Sequence, residues 1–271
     1  KNFDCMGRFF NADNEESLKT IMKVVVSNVL DNTTIQVNLL DHNNKPTETD
    51  VTMSFEDAFT GTVWYNLEHT LTEEKKPDVF VIDAAPIYNL KVHTIPPVYK
   101  RKVELKPGEQ NEINIKAVQG FLNLKMNGNM FYKDLKCLVY DSKTGALVNV
   151  QDINTSIKYL AGNYDIEVLT LPRTRIENVK ITSKATKVNV VQSPGQLIAD
   201  YKGGFVGGIY KVTESKLELV VSVDPNKRKD VYYLQPGQYK FVVRLERENK
   251  TIYTKTKDFN IKSNGVVKVN I

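Results

Sequence analysis

Three histidines and two cysteines are all that this chain of 271 residues offers for soft-metal ligation, or for a nucleophile backed by a nitrogen base. Cys5 and Cys137 are too few for a tetrahedral zinc site or a disulfide framework. His42 lies in the turn-rich run Asp41-His42-Asn43-Asn44, where Asp41, Asn43 and Asn44 supply oxygens suited to a hard cation. Calcium loops carry more carboxylates than this, and Asx residues ahead of a Pro normally bond the turn backbone, so the run predicts a turn. His69 follows Leu67 and Glu68 near the end of a predicted strand, and His93 falls inside another, where they read as strand residues rather than bases. The sequence contains no GxSxG, HExxH, Walker or dinucleotide-binding glycine pattern. The expectation is a non-enzymatic protein with no catalytic residues, no metal ligands and no cofactor.

Aromatic side chains suggest contact chemistry instead. Trp64 and Tyr65 are adjacent in a predicted strand and must point to opposite faces, so one is core and the other exposed. The segment YKGGFVGGIY, residues 201–210, sets four glycines around Phe205 and Val206 and ends on Tyr210. Glycines let a backbone bend or approach another surface closely. The segment therefore reads either as a bent hairpin strand or as a loop presenting Phe205 to a partner or a sugar. Trp64, Tyr65, Phe205 and Tyr210 are the candidate partner or glycan contacts.

Charge argues against one class of partner. The formal charge of +5 comes from 37 basic against 32 acidic residues, and the densest basic clusters, YKRK at 99–102 and NKRK at 226–229, are short. Neither forms the massed basic face with a recognisable motif that a nucleic-acid binder needs. Asn-x-Ser/Thr triplets begin at Asn32, Asn154 and Asn249, a number expected by chance in a chain this rich in Asn and Thr. No apolar run approaches the roughly 18 residues of a spanning helix, so no transmembrane segment is expected. The opening Lys-Asn-Phe, without an initiator Met or a charged-then-apolar leader, implies a trimmed or excised product.

The elements that would position these residues show two periodicities. Asp13 followed by Glu16 makes a capping-box pattern, and Leu18, Ile21, Met22, Val25 and Val29 then recur at helical spacing, predicting one amphipathic helix that buries its apolar face. From Thr33 the apolar residues alternate and turn formers recur every eight to twelve positions, as in short antiparallel strands. Repetition then divides the chain. Tyr88, Leu90, Val92 and Thr94 match Tyr164, Ile166, Val168 and Thr170, and Ile95-Pro96 matches Leu171-Pro172, all at one offset of 76 residues. Tyr239, Phe241 and Val243 form a third copy, and Phe55-x-Asp57-x-x-Thr60-Gly61 recurs as Val139-x-Asp141-x-x-Thr144-Gly145. Two matched segments in the same order imply repeated units. Residues 1–31 are the helical segment, followed by sandwiches at 32–116, 117–193 and 194–271, each with room for six or seven strands.

The run FDCMGRFFNADNEESLKTIMKVVVSNVL resembles the end of a von Willebrand factor A domain: a last strand, then Gly7-x-Phe9-Phe10-x-Ala12, then the final amphipathic helix. YLAGNYDIEVLTLPRTRIENVKI is similar to the strands of transthyretin-like and carboxypeptidase-regulatory-like modules, and to the β-sandwich region that follows A domains in bacterial envelope proteins. The Asp-x-Ser-x-Ser metal motif of A domains does not occur in the chain, so the resemblance carries over no metal ligand. It implies residence outside the cytoplasm, periplasmic or at the cell surface, and a protein partner in the envelope. The expected fold is all-β: a tandem array of three small antiparallel β-sandwiches, transthyretin-like or immunoglobulin-like, preceded by one N-terminal helix. The expected function is protein binding, scaffolding or assembly, with a carbohydrate-binding or adhesive stalk as the alternative.

Overall fold

The computed structural model describes residues 33–271 apart from 127–131, 133, 202–203 and 215, together with 14–16, 18, 19, 22 and 23. The expected N-terminal helix falls for the most part outside the described residues, and no continuous helix stands among those described there. Leu18 N–H bonds Asn14 O at 3.0 Å, but Leu18 and Met22 are 51% and 54% exposed, so the expected apolar face is not buried at either.

From residue 33 onward the described residues form strands and their connections, with a one-turn 3-10 helix at Thr251–Tyr253. The first unit runs β1 (Thr34–Leu40), β2 (Val51–Asp57), β3 (Val63–His69), β4 (Val79–Val81), β5 (Tyr88–Val92), β6 (Val98–Val103) and β7 (Gln110–Lys116). The second runs β8 (Gln119–Met126), β9 (Lys136–Asp141), β10 (Leu147–Asp152), β11 (Ser156–Leu160), β12 (Gly162–Val168), β13 (Thr174–Ile181) and β14 (Thr186–Val191). The third runs β15 (Gly195–Asp200), β16 (Phe205–Val212), β17 (Leu217–Ser222), β18 (Lys229–Leu234), β19 (Gly237–Leu245), β20 (Lys255–Ile261) and β21 (Val266–Asn270).

Strand order repeats without change. The four-stranded sheets are β3-β2-β5-β6, β10-β9-β12-β13 and β17-β16-β19-β20, and the three-stranded sheets are β4-β1-β7, β11-β8-β14 and β18-β15-β21. The sheets group into three sandwich-like units, but they are not antiparallel throughout. The first and last strands of each unit pair in parallel, Val37 opposite Ile113, Val188 opposite Leu124 and Leu197 opposite Val267. Alternation of apolar residues is the same in parallel and antiparallel strands, so the sequence pattern does not report this pairing. An immunoglobulin order is also excluded, since there the first strand neighbours the second, whereas here it lies between the fourth and the seventh. The chain divides into two compact bodies, residues 1–119 holding the first sandwich and residues 120–271 holding the other two.

Each core centres on an aromatic whose hydroxyl returns to the backbone. Tyr88, Tyr164 and Tyr239 are buried, and their hydroxyls donate to Asp83 O at 2.8 Å, Leu160 O at 2.9 Å and Gln235 O at 2.6 Å. Their rings pack on Phe55, Tyr159 and Phe259 at centroid separations of 5.7, 5.5 and 5.6 Å. Burial raises all three hydroxyls above the ordinary phenol value, so each remains a proton donor across any physiological pH. The residues after β5 and β12 match as well: Thr94 and Thr170 each donate to the carbonyl two residues on, Pro96 and Pro172, at 2.7 Å. Within the second body, the sandwich units meet through Gln235 N–H to Leu171 O at 2.7 Å and Tyr132 hydroxyl to Tyr233 O at 3.0 Å, with Leu171 packed on the third core.

The Asp-x-x-Thr-Gly turns after β2 and β9 are also copies. Asp57 Oδ1 accepts from Phe59 N and Thr60 N at 2.9 and 2.7 Å, and Asp141 Oδ1 accepts from Lys143 N and Thr144 N at 3.1 and 2.7 Å. Gly61 and Gly145 close them at φ of +73° and +69°, a conformation open to glycine at little cost. The Thr144 and Thr60 amides, first among the causes, hold both carboxyls below the usual carboxylate range.

Two outcomes follow for stability. Tyr164→Phe removes one donor to a core carbonyl and should lower unfolding free energy by about 1–2 kcal/mol in urea titrations; a variant as stable as the parent would show that the hydroxyl contributes nothing. Asp141 has a depressed folded pKa, so the unfolded chain binds its proton first and the contribution is lost as pH falls. Asp141→Ala should therefore melt below the parent at pH 7, with the gap closing below about pH 3.9.

Candidate functional site

Of the adjacent pair in β3, Tyr65 is the inward residue and Trp64 the outward one. Tyr65 packs edge-on against Phe55 and Tyr88, at 6.4 and 6.2 Å, and its hydroxyl accepts from Asp83 N–H at 3.1 Å. Trp64 is 49% exposed on the outer face of the four-stranded sheet. Phe205 is 4% exposed and belongs to the third core, so its ring is turned inward rather than out into solvent. The reason is local. Gly207 and Gly208 let β16 run close between its neighbours: a Cβ at Gly207 would lie 2.1 Å from Val242 O, and one at Gly208 would lie 2.6 Å from the Leu219 side chain. The glycines serve a strand, which turns Phe205 inward. Tyr210 is half-buried in the same strand, opposite Lys240 and Leu219. Trp64 and Tyr65 thus belong to the first sandwich and Phe205 and Tyr210 to the third, in different compact bodies.

The titratable residues are occupied structurally. Asp41 Oδ1 accepts from Asn43 N and Lys45 N at 2.8 and 2.9 Å and Oδ2 from Thr47 Oγ1 at 3.0 Å, which makes the run a turn as expected. His69 is buried with Nε2 2.9 Å from Val37 O. Cys137 is buried in the second core, where desolvation pushes its thiol up to about 12 and leaves it unreactive. Cys5 lies outside the described residues. Among the described residues no three His, Cys, Asp or Glu side chains gather as a metal site.

One pair has the geometry of a nucleophile and base. Ser54 Oγ lies 2.6 Å from His93 Nε2 on the outer sheet face. The Ser54 hydroxyl, however, donates to Asn66 Oδ1 at 2.8 Å, so it accepts from the imidazole N–H. An activated serine needs the opposite polarity, with the imidazole taking the hydroxyl proton. The arrangement is a polar ladder across β3, β2 and β5, continued by Thr52 Oγ1 to Glu68 at 2.9 Å.

The third unit carries an open groove of about 730 Å³ at one end of the sandwich. Three connections and the chain's last residue meet there. Gly204 N–H bonds Pro225 O at 2.9 Å, Glu246 N–H bonds Gly204 O at 2.8 Å, and Ile271 N–H bonds Asp200 O at 3.1 Å, which fixes the walls relative to one another. Gly204, at φ +69°, turns the chain into β16 and sets Phe205 and Leu245 as the apolar floor. Arg228, Arg247 and Lys255 line the groove with Asn226 and Glu246, and the Lys255 ammonium lies 5.6 Å from the Phe205 ring centroid. Sequence reading singled out Phe205 and the cluster containing Arg228 but did not join them, since the lining residues are spread from Gly204 to Ile271.

No family model and no curated protein matches the chain. Among solved structures it is similar to the Bacillus anthracis TIE protein, at 16% identity and a TM-score of 0.24, covering 88% of this chain and 50% of that one. It is similar also to BcpA, the major pilin subunit of Bacillus cereus, at 11% identity, a TM-score of 0.20 and coverage of 88% and 97%. The pilus adhesin SpaC from Lactobacillus rhamnosus GG stands at 9% identity, a TM-score of 0.20 and coverage of 86% and 38%. This chain thus spans half the length of the B. anthracis protein. Such values fix neither family nor function, and they lend no support to the von Willebrand A and transthyretin-like resemblances.

Trp64 is the one tryptophan of the sequence, so its emission reports the outer face of the first sandwich directly. Native protein should show red-shifted emission that acrylamide quenches readily; blue-shifted, quench-resistant emission would place the indole in a core.

Proposed function

We propose that this chain is a non-enzymatic module for protein binding or assembly, working outside the cytoplasm as part of the cell envelope. The observation that supports it is the division of labour between repeated and unrepeated residues. What recurs from unit to unit is frame: Tyr88, Tyr164 and Tyr239 in the cores, Thr94 and Thr170 beside the prolines, Asp57 and Asp141 in the turns. What does not recur is surface: the Trp64 face, the cationic groove around Arg228 and Arg247, and the exposed ring of Tyr99 with Lys91 and Arg101 over it at 5.8 and 5.5 Å. A frame rebuilt three times with different surfaces suits the display of contact sites. The envelope setting rests on the resemblance of the first thirty residues to the end of a von Willebrand A domain, which would make this chain the arm that follows such a domain. No helix of the described residues is long and apolar enough to cross a membrane.

A second reading, a carbohydrate-binding stalk, is favoured by the half-exposed Trp64, since indole faces stack on sugars; Phe205 and Tyr65 no longer serve it.

Immobilised full chain incubated with envelope extract should retain a protein that, once purified, binds again in a defined mixture. Binding on a glycan array that Trp64→Ala abolishes would transfer the function to the second reading. Failure to retain any protein, with an array equally blank, would overturn the binding-module proposal.

A further inference from the structure

We infer that the groove at the end of the third sandwich takes an acidic peptide segment bearing apolar side chains, supplied by a protein partner. This rests on the binding-module reading and names the ligand of one of its surfaces.

The cations come first. Lys227 and Lys240, elsewhere in the unit, are tied to Asp230 at 2.9 Å and Asp258 at 2.8 Å. Arg228 and Arg247 have no ion-pair partner among the described residues, and Lys255 meets an aromatic ring instead of a carboxylate. Against these three cations the groove holds one acidic side chain, Glu246. It therefore carries uncompensated positive charge on a fixed backbone, and two of the three groups are guanidinium forks, whose planar donors match carboxylates in pairs.

An apolar strip runs alongside. The one-turn 3-10 helix Thr251–Tyr253 lifts Ile252 and Tyr253 into solvent, 83% and 51% exposed, next to Lys255. With Phe205, Leu245 and Glu248 they line a second hollow of about 300 Å³ that shares Phe205, Leu245 and Lys255 with the groove, so the two hollows together hold three cations against two carboxylates. A single exposed isoleucine is ordinary. An isoleucine and a tyrosine beside unpaired arginines form an amphipathic surface, and aromatic and arginine side chains are the groups that dominate protein interfaces. A phosphate or sulfated polymer would engage the cations and leave this strip unused, whereas an acidic segment with leucine or phenylalanine engages both.

Charge over the whole second body points the same way. Residues 120–271 carry 24 Lys and Arg against 14 Asp and Glu, while residues 1–119 carry 13 against 18. The overall +5 thus conceals +10 on one body and −5 on the other, a field that draws acidic ligands to the body containing the groove.

The test uses the full chain and a fluorescein-labelled peptide of alternating glutamate and leucine, read by anisotropy. The peptide should bind, and added salt should weaken it. Arg247→Glu with Lys255→Glu should weaken it about tenfold or more, and Ile252→Ser by about threefold, with circular dichroism unchanged. Lys100→Glu, in the first sandwich, should leave affinity as it is. Equal affinity for the peptide with serine in place of leucine, displacement by tripolyphosphate at equal concentration, or indifference to the double reversal would each overturn the inference. Absence of peptide binding in a chain that still retains its envelope partner would overturn the groove assignment and leave the binding-module reading intact.

Discussion

The parallel pairing of first strand with last is the constraint on which each unit depends. β1 on β7, β8 on β14 and β15 on β21 join residues about seventy positions apart, and the five strands between act as one long crossover. Parallel neighbours cannot be joined by a tight turn, so the remaining strands must leave the three-stranded sheet, build the second sheet and return. The pairing also protects the first strand, which is held between the fourth and the last and has no free edge to offer a neighbour. Loop closure over that distance costs only slowly more as the loop lengthens, about 0.6 kcal/mol per doubling, so the arrangement burdens folding rate more than stability.

The three buried tyrosines sit on interior strands of the four-stranded sheets. β5, β12 and β19 are each flanked on both sides within that sheet, and each presents its tyrosine between the sheets. The hydroxyl must find an acceptor in the core, and the carbonyl four or five residues upstream is the group that the incoming connection brings within reach. The ring contributes apolar burial and the hydroxyl fixes the connection, so one residue type at one position sets both packing and chain path. This is why the Tyr-x-aliphatic-x-Val pattern returns in every unit.

What was legible in the sequence was whatever is decided locally. Alternation located the strands, and the Asp-x-x-Thr-Gly pattern located two turns because a carboxylate two and three residues from amide donors acts within a single hairpin. Adjacent Trp64 and Tyr65 had to face opposite ways, but only the Asp83 amide and the Phe55 ring, both distant in sequence, decide that Tyr65 is the inner one. Parallel register was invisible for the same reason: period two is silent about the direction of the neighbour. The glycines around Phe205 were read as permission for a loop, whereas the close approach of Val242 and Leu219 makes them a requirement of a strand.

The groove was illegible for a further reason. Its cations sit far apart in sequence, Arg228 and Arg247 in separate connections and Lys255 at the start of β20, where each looks like ordinary solvated charge. Net charge hid them too, since the acidic first body cancels half of what the second body holds. A surface that arises where connections of one sandwich end converge has no sequence period, and it can change from copy to copy without disturbing the frame. In the second unit, on the face of the four-stranded sheet, Arg173 pairs Glu167 at 3.2 Å and Arg175 pairs Asp165 at 3.0 Å, so the cations there stiffen a sheet face. The contrast between paired arginines in one unit and unpaired ones in the next is what separates a structural use of charge from one available to a ligand.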